Sequence, residues 1–295
     1  MIKLVVILIL NTFSCASAKE INSSISETKK HNLSVCCIFK NESKFLKEWI
    51  EYHKLIGVDH FYLYNVESTD NYIDVLKPYI KNKTVTLIEW PNMSIGQTKP
   101  DMQMLSTKIP AYENAAKHLA LKNTKWLVFV DIDEFLVAPD NRSLREILAE
   151  YDDYPGVILP SDYFDASQIG VFPKKKLIIE NTRLAPEPQQ PIEKTVEKTI
   201  FQPERTVGFT WPPYKYEFEN DQYAYVVKRT QLRINHYTNK NVATFSSGKV
   251  KDKLVIDNRN LGENEKKFLL ERYDIKDSEQ SIIRFVPEIR KRMGL

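Results

Sequence analysis

The sequence predicts an α/β fold: a mostly parallel central sheet with antiparallel additions and a C-terminal helical extension. Three observations predict it. The first is the run Trp126–Leu136, in which apolar, β-favouring residues lead straight into Asp131 and Asp133. Such a run reads as a strand buried on both faces of a parallel sheet. The second is the alternation of strand-like and helix-like periodicity from Leu33 to Trp90. That alternation is the mark of right-handed βαβ winding. The third is a change of pattern in Thr195–Phe201 and Tyr225–His236, where apolar and polar residues alternate. This suits half-buried antiparallel strands.

Taken in order, Leu33–Phe39 is the first strand. A helix follows over Glu42–Ile56, with Phe45, Leu46, Trp49, Ile50, His53 and Ile56 at helical spacing and Gly57 closing its end. His60–Tyr64 is the second strand, and Asn65–Asp70 a polar turn after it. A short helix reaches Pro78, and Val85–Trp90 is the third strand. Residues 91–108, with Pro91, Gly96 and Pro100, read as a long polar loop of the kind that faces substrates. Ile109–Lys122 reads as a helix. Ser143 and Glu146 form a capping box that starts another, ending near Tyr151. Val157–Leu159 is a further strand. Phe209, Trp211, Tyr214, Tyr216 and Phe218 form an aromatic cluster that suits a satellite core or, alternatively, a sugar-stacking platform.

The 295 residues suffice for one large domain or one and a half. A net charge of +3 is too small to imply a nucleic-acid partner. The start reads as an export signal. Lys3 precedes the apolar run Leu4–Leu10, and Ala16-Ser17-Ala18 fits a signal-peptidase site. A stable membrane span needs roughly 20 apolar residues, and Asn11 interrupts this run far sooner. The expected organisation is a signal peptide over 1–18, a flexible spacer over 19–32, the main domain over 33–240 and a C-terminal extension over 241–295 packed on it. After cleavage Cys36 and Cys37 are the cysteines left. Adjacent in one apolar strand, they read as packing residues, so the exported chain leans on its core rather than on disulfides.

Open α/β sheets place their ligand sites at the carboxyl ends of the strands. Asp131 and Asp133 stand at such an end. Paired carboxylates suit a hard divalent cation, and Mg²⁺ or Mn²⁺ often keeps substrate phosphates among its remaining ligands. The plainer alternative is a strand that ends in a solvated acidic turn.

Several stretches together resemble a known family. Val35–Glu42 with Glu48–His53 and Gly57–Asn65 resembles the opening of glycosyltransferase family 92 and its family-2-like relatives. Trp126–Leu136 is similar to that family's metal motif, and Asn235-His236-Tyr237 to its late His-Tyr signature. The resemblance covers roughly residues 33–240. It implies a GT-A type fold with a Rossmann-like sheet, a UDP-sugar donor, a glycan or glycoconjugate acceptor and Mn²⁺ or Mg²⁺. Characterised relatives transfer galactose with inversion. Carried over by residue, Asn41 and Glu42 lie beside the nucleotide base, and Asp70 is within reach of the nucleoside. Asp131 serves both donor and metal, Asp133 is the better placed for direct coordination, and His236 completes the metal shell. Asp162 and Asp165 are the candidates for the base that takes the acceptor proton.

Some positions depart from the family pattern. The turn after the second strand reads Asn65-Val66-Glu67-Ser68, where relatives commonly have Asp-Asn-x-Ser. Phe164-Asp165-Ala166-Ser167 replaces a Phe-Gly pattern, and the region of Trp211 lacks a histidine. Two rival functions are open at this level. Val130–Glu134 also resembles the nucleophile motif of haloacid-dehalogenase-type phosphatases, although Phe135 stands where that motif wants Thr or Val and three strands precede it. A non-catalytic glycan-binding protein on the same scaffold would use the aromatic cluster, but has no need of a diphosphate site. Asn-x-Ser/Thr sequons occur at Asn22, Asn32, Asn41, Asn82, Asn92 and Asn141. Glycosylation of Asn41 would block the nucleotide site, which favours periplasmic or bacterial extracellular export over a eukaryotic secretory lumen.

Overall fold

The computed structural model describes residues 29–93, 100–165, 176–180, 198–210, 215–238 and 280–295. The proposed signal peptide, most of the spacer, Trp211, Tyr214 and residues 239–279 lie outside them. The chain opens with β1 (His31–Phe39), α1 (Ser43–Leu55), β2 (His60–Asn65), α2 (Tyr72–Lys81) and β3 (Val85–Glu89). Then come α3 (Pro100–Asn114), β4 (Thr124–Phe129), β5 (Glu134–Val137), α4 (Leu144–Ala149), β6 (Gly156–Leu159) and β7 (Ser161–Asp165). The later strands are β8 (Lys198–Phe201), β9 (Thr206–Thr210), β10 (Lys215–Phe218), β11 (Tyr225–Val226) and β12 (Arg233–Thr238). Helices α5 (Gln280–Ile283) and α6 (Val286–Met293) close it.

The main sheet has seven strands in the order β11-β6-β8-β4-β1-β2-β3. Strands β3, β2, β1 and β4 run parallel. β8 runs against both neighbours, and β11 is parallel to β6. This is the mostly parallel sheet that the sequence predicts, and it brings the carboxyl ends of β1, β2 and β4 to one edge. Cys36 and Cys37 show how thoroughly β1 is buried. Alternate side chains face opposite sides, so Cys37 joins the core under α1 and Cys36 the core under α3, both as fully buried thiols.

Four local expectations are corrected. β1 begins at His31, two residues inside the expected spacer. Residues 100–108, expected as loop, are the first part of α3, and a π-helical turn over Ala115–Ala120 continues it. The run Trp126–Leu136 is two strands in two sheets: the chain turns at residues 130–133, and β5 then pairs with β12. Burial is complete on both sides of that turn, so hydrophobicity alone does not reveal the break. Tyr225–His236 is likewise split. β11 joins the main sheet in parallel, whereas β12 lies between antiparallel β5 and parallel β7. Asp162 and Asp165 follow the strand at Val157–Leu159, as expected, and lie within β7.

The capping box of Ser143 and Glu146 is present. Gly57 has φ +105°, a conformation open to glycine at the end of α1. The C-terminal helices add Ile282 and Ile289 to the same core as β1 and α1. Arg284 donates to the carbonyls of Ala138, Pro139 and Asp140, which fastens α5 beside β5. Of the aromatic cluster, Phe209, Tyr216 and Phe218 pack with Phe201 in the second core, as a satellite core requires. No helix among the described residues is long and apolar enough to cross a membrane.

Candidate active site

The acidic turn after β4 is held by α1. Trp49, fully buried, donates its indole N–H to the carbonyls of Asp131 at 3.1 Å and Glu134 at 2.9 Å. The Tyr52 hydroxyl donates to the Leu136 carbonyl at 2.7 Å. His53 bridges Trp49 O through Nδ1 and accepts from Leu136 N at Nε2. Burial pushes its pKa down to about 3, despite the bond to Trp49, so the imidazole is neutral and works as a fixed donor and acceptor. The helical stripe Trp49-Tyr52-His53 therefore sets the backbone of the turn as well as filling the core.

Within the turn the two aspartates face different surroundings. Asp131 is ion-paired with Lys108 at 2.7 Å through Oδ1 and 2.9 Å through Oδ2. Lys198 stands 3.6 Å from Asp131 and 2.8 Å from Glu134. The lysine side chains are only 8% and 3% exposed. Burial pushes the Asp131 carboxyl up, but Lys108 and Lys198 outweigh it and hold the group well below the usual carboxylate range. Burial pulls the Lys198 ammonium down, but Glu134 and Asp131 outweigh it and keep the group charged. Glu134 also accepts from the amide of Asp131 at 2.8 Å, which closes the turn.

Asp133 points the other way, toward His236 on β12. His236 Nε2 is 3.8 Å from Asp133 Oδ1, and Nδ1 is 3.9 Å from Glu134 Oε1. The Tyr237 amide donates to the Asp133 carbonyl at 2.7 Å and locks β12 onto the turn. Two ligands on one cation, with bonds of about 2.1 Å, lie no more than about 4.2 Å apart. The Asp133–His236 spacing meets that limit. Glu134 lies 3.9 Å from the other imidazole nitrogen, an electrostatic neighbour rather than a hydrogen-bond acceptor at that distance. Asp131 departs from expectation, because both its oxygens already face lysine. Among the described residues no group of three or more His, Cys, Asp and Glu side chains forms a complete metal cage.

The residues expected around the nucleoside gather at the ends of β1 and β2. Asn41, with φ +55°, accepts from the Thr69 amide at 2.7 Å, and its own amide donates to Ser68. Glu42 occupies the N-cap position of α1 without a side-chain cap. The capping acceptor comes from Asp70 instead, whose Oδ2 takes the Ser43 amide at 2.8 Å. Asp70 Oδ1 is shielded from solvent and has no hydrogen-bond partner. Asn65 and Glu89, joined at 2.6 Å, extend this polar edge.

Asp162 requires a correction. It was expected as a base, but its side chain is only 2% exposed and is held by Arg229 at 2.5 Å and Arg233 at 3.1 Å. Arg233 in turn donates to Asn235 and Ser281. A carboxylate sealed under two guanidinium groups cannot reach an acceptor hydroxyl. Asp165 ends β7, opposite Thr238 of β12 in the backbone register.

Sequence reasoning missed Lys108, Lys198 and Glu134. Lys108 sits in a stretch that reads as loop, and Lys198 in an alternating run whose polar positions read as solvated. Only the pairing of β8 with β4 brings Lys198 to the turn.

A family model described as glycosyltransferase family 92 matches residues 30–285. A glycosyltransferase family 92 protein of Oryza sativa subsp. japonica is 32% identical over 133 residues, covering 44% of this chain and 20% of its own length. The galactan beta-1,4-galactosyltransferase GALS3 of Arabidopsis thaliana is 27% identical over 141 residues, covering 46% of this chain and 27% of its own. The chain thus spans between 20% and 27% of the length of these curated relatives. Among solved structures, S. aureus TarS 1-349 in complex with UDP aligns at 13% identity with a TM-score of 0.38, over 67% of this chain and 61% of that one. Because the family model runs from β1 to the start of α6, the chain belongs to glycosyltransferase family 92, with the GT-A type α/β fold that this membership implies.

Proposed function

We propose that the chain is a metal-dependent, inverting glycosyltransferase that moves a hexose, galactose by family, from a UDP-sugar to a glycan hydroxyl. The observation that carries this is the approach of His236 to Asp133 at the carboxyl end of β4, with Glu134 behind the imidazole. Asp133 and His236 would hold Mn²⁺ or Mg²⁺, the remaining ligands being diphosphate oxygens and water. That cation would offset the negative charge that concentrates on the leaving nucleoside diphosphate.

This chain's residues supply the rest. Asn41, Glu42 and Asp70 bind the nucleoside, and the unpaired Asp70 Oδ1 suits a ribose or base donor. Lys108 and Lys198 orient Asp131 so that the donor meets a fixed carboxylate. In the transfer, the acceptor oxygen forms its bond to the anomeric carbon on the face opposite the diphosphate. The carbon–oxygen bond to the diphosphate breaks, and its electron pair leaves with UDP. The acceptor proton passes to a carboxylate, for which Asp165 is the remaining candidate. The galactan-acting relative in Arabidopsis makes β-1,4-linked galactan the first acceptor to try. Export through a cleaved signal peptide is part of the same proposal, and amino-terminal sequencing of the exported protein after Ala18 would test it.

The test is to incubate the purified chain with UDP-galactose, Mn²⁺ and β-1,4-galactotetraose. UDP release with a product heavier by one hexose is expected. Absence of transfer from every UDP-sugar tried, with phosphate released from a phosphomonoester, would overturn the proposal in favour of a phosphatase.

A further inference from the structure

We propose that a pocket beside β8, outside the acidic turn, binds one neutral sugar unit of a glycan chain. The inference rests on the glycosyltransferase reading above, because a chain being extended is what such a pocket would hold. The pocket measures about 320 Å³ and is lined by Thr199, Tyr216, Phe218, Gln222 and Tyr223, with Ile158 at its base. Small-ligand sites begin at about 300 Å³ and combine apolar walls with a few placed polar groups. The chemistry of the lining narrows the ligand. Tyr223 presents an exposed ring to the C–H side of a pyranose above the packed rings of Tyr216 and Phe218, and the lining carries tyrosine and threonine hydroxyls and a carboxamide as hydrogen-bonding groups. None of these side chains is charged, which suits a neutral sugar and not a phosphate or uronic acid.

The pocket adjoins the proposed donor site through β8. Lys198 reaches Asp131 and Glu134, and the next residue, Thr199, lines the pocket. Tyr216 spans the two: it lines the pocket and lies within electrostatic range of the Lys198 ammonium. The wall is also built with care. Asn220 and Asp221 both adopt left-handed backbone, with φ 56° and 52°, just before Gln222 and Tyr223. Asn and Asp are the non-glycine residues that enter this region most readily, and the pair turns the chain into the wall. Gly156 lets this wall close on β6, since a Cβ there would lie 2.8 Å from Phe218 and 3.2 Å from Thr199. Tyr223 stands out from the wall, 84% exposed, so its removal perturbs binding without disturbing the core.

The experiment compares the full chain with Tyr223→Ala. Titration with β-1,4-galactotetraose and with its galacturonate counterpart is run beside thermal stabilisation by UDP and Mn²⁺. The inference predicts binding of the neutral tetramer, about 3- to 10-fold weaker in the variant as expected for one stacked ring, with UDP stabilisation unchanged. Equal binding by the two proteins would overturn it, as would preference for the acidic tetramer, or no neutral-sugar binding by a protein that still binds UDP. Binding that depends on Tyr223 in a protein unresponsive to UDP would uphold the pocket and overturn the transferase reading.

Discussion

Two buried ion clusters flank β12, and they differ in one respect that decides their use. In the first, Lys108 and Lys198 hold Asp131 and Glu134, and Asp131, Asp133 and His236 are each about a quarter exposed. In the second, Arg229 and Arg233 close over Asp162, and Ser281 of α5 seals the outer side. The first balances two lysines against two carboxylates, whereas the second sets two guanidinium groups against one carboxylate and leaves Arg229 Nη1 buried without a hydrogen-bond partner among the described residues. Only the first leaves a carboxylate and an imidazole at an open edge of the sheet. A carboxylate near a site is therefore no guide to catalysis until its partners are known, and Asp162 is a structural anchor that joins β7, β12 and α5.

The comparison breaks most sharply at Asp162. Asp162→Ala leaves two buried guanidinium groups without a counter-charge. Loss of one partner of a buried pair costs about 3–5 kcal/mol, so urea unfolding should show a drop of that order. A drop below about 1 kcal/mol would mean that the cluster is not sealed.

A third buried carboxylate sharpens the point. Among the described residues Glu48 has no cation beside it and accepts from the amides of Ile178 and Ile179, at 2.9 and 3.1 Å. Burial is the main cause that pushes its pKa up to about 7, against those two bonds, with Glu180 adding to the rise. The folded chain therefore holds a proton that the unfolded chain releases near pH 4.3. Stability from this group is full below that pH and falls as pH rises toward about 7, by at most roughly 4 kcal/mol. Glu48→Gln should flatten the pH dependence of Tm between pH 5 and pH 7, the interval between its unfolded and folded titration. An unchanged slope would contradict the assignment.

Asp131 behaves in the opposite sense. Its carboxyl is held low, so its contribution is present above the unfolded value of about 3.9 and is lost only as pH falls well below it. Lys108→Met should bring that loss to higher pH and lower stability at neutral pH by about 1–2 kcal/mol, a figure reduced because Asp131 is partly solvated. Acid unfolding of the two proteins measures both. Of similar size is Trp49→Phe, which removes the indole N–H shared by Asp131 and Glu134 and leaves part of a fully buried volume empty. About 2 kcal/mol is expected from denaturant unfolding, with weaker UDP binding because the turn loosens.

The first half of the fold can be read from apolar periodicity, because β1–α1–β2–α2–β3 are local units whose burial is written in adjacent residues. The helical stripe Phe45, Leu46, Trp49 and Ile50 and the capping box at Ser143 are of this kind. The second half is less readable, because its pairings are long-range. β8 inserts between β4 and β6, and β12 joins β5 to β7, none of which leaves a local pattern. The site divides the same way. Asp131 and Asp133 declare themselves by following a buried strand. Lys198 meets Asp131, and Arg229 meets Asp162, 67 residues apart in each case. A lysine or arginine in an alternating run looks solvated until its partner arrives from another strand.

The central claim is that the open side of the acidic turn, Asp133 with His236, is the donor centre. Isothermal titration of UDP into the full chain, with Mn²⁺ and with chelator, beside Asp133→Ala, tests it most directly. The account predicts UDP binding that strengthens at least tenfold with Mn²⁺, and loss of that gain in Asp133→Ala without loss of folding. UDP binding indifferent to Mn²⁺, or an Asp133→Ala protein that keeps the full metal-dependent gain, would contradict it.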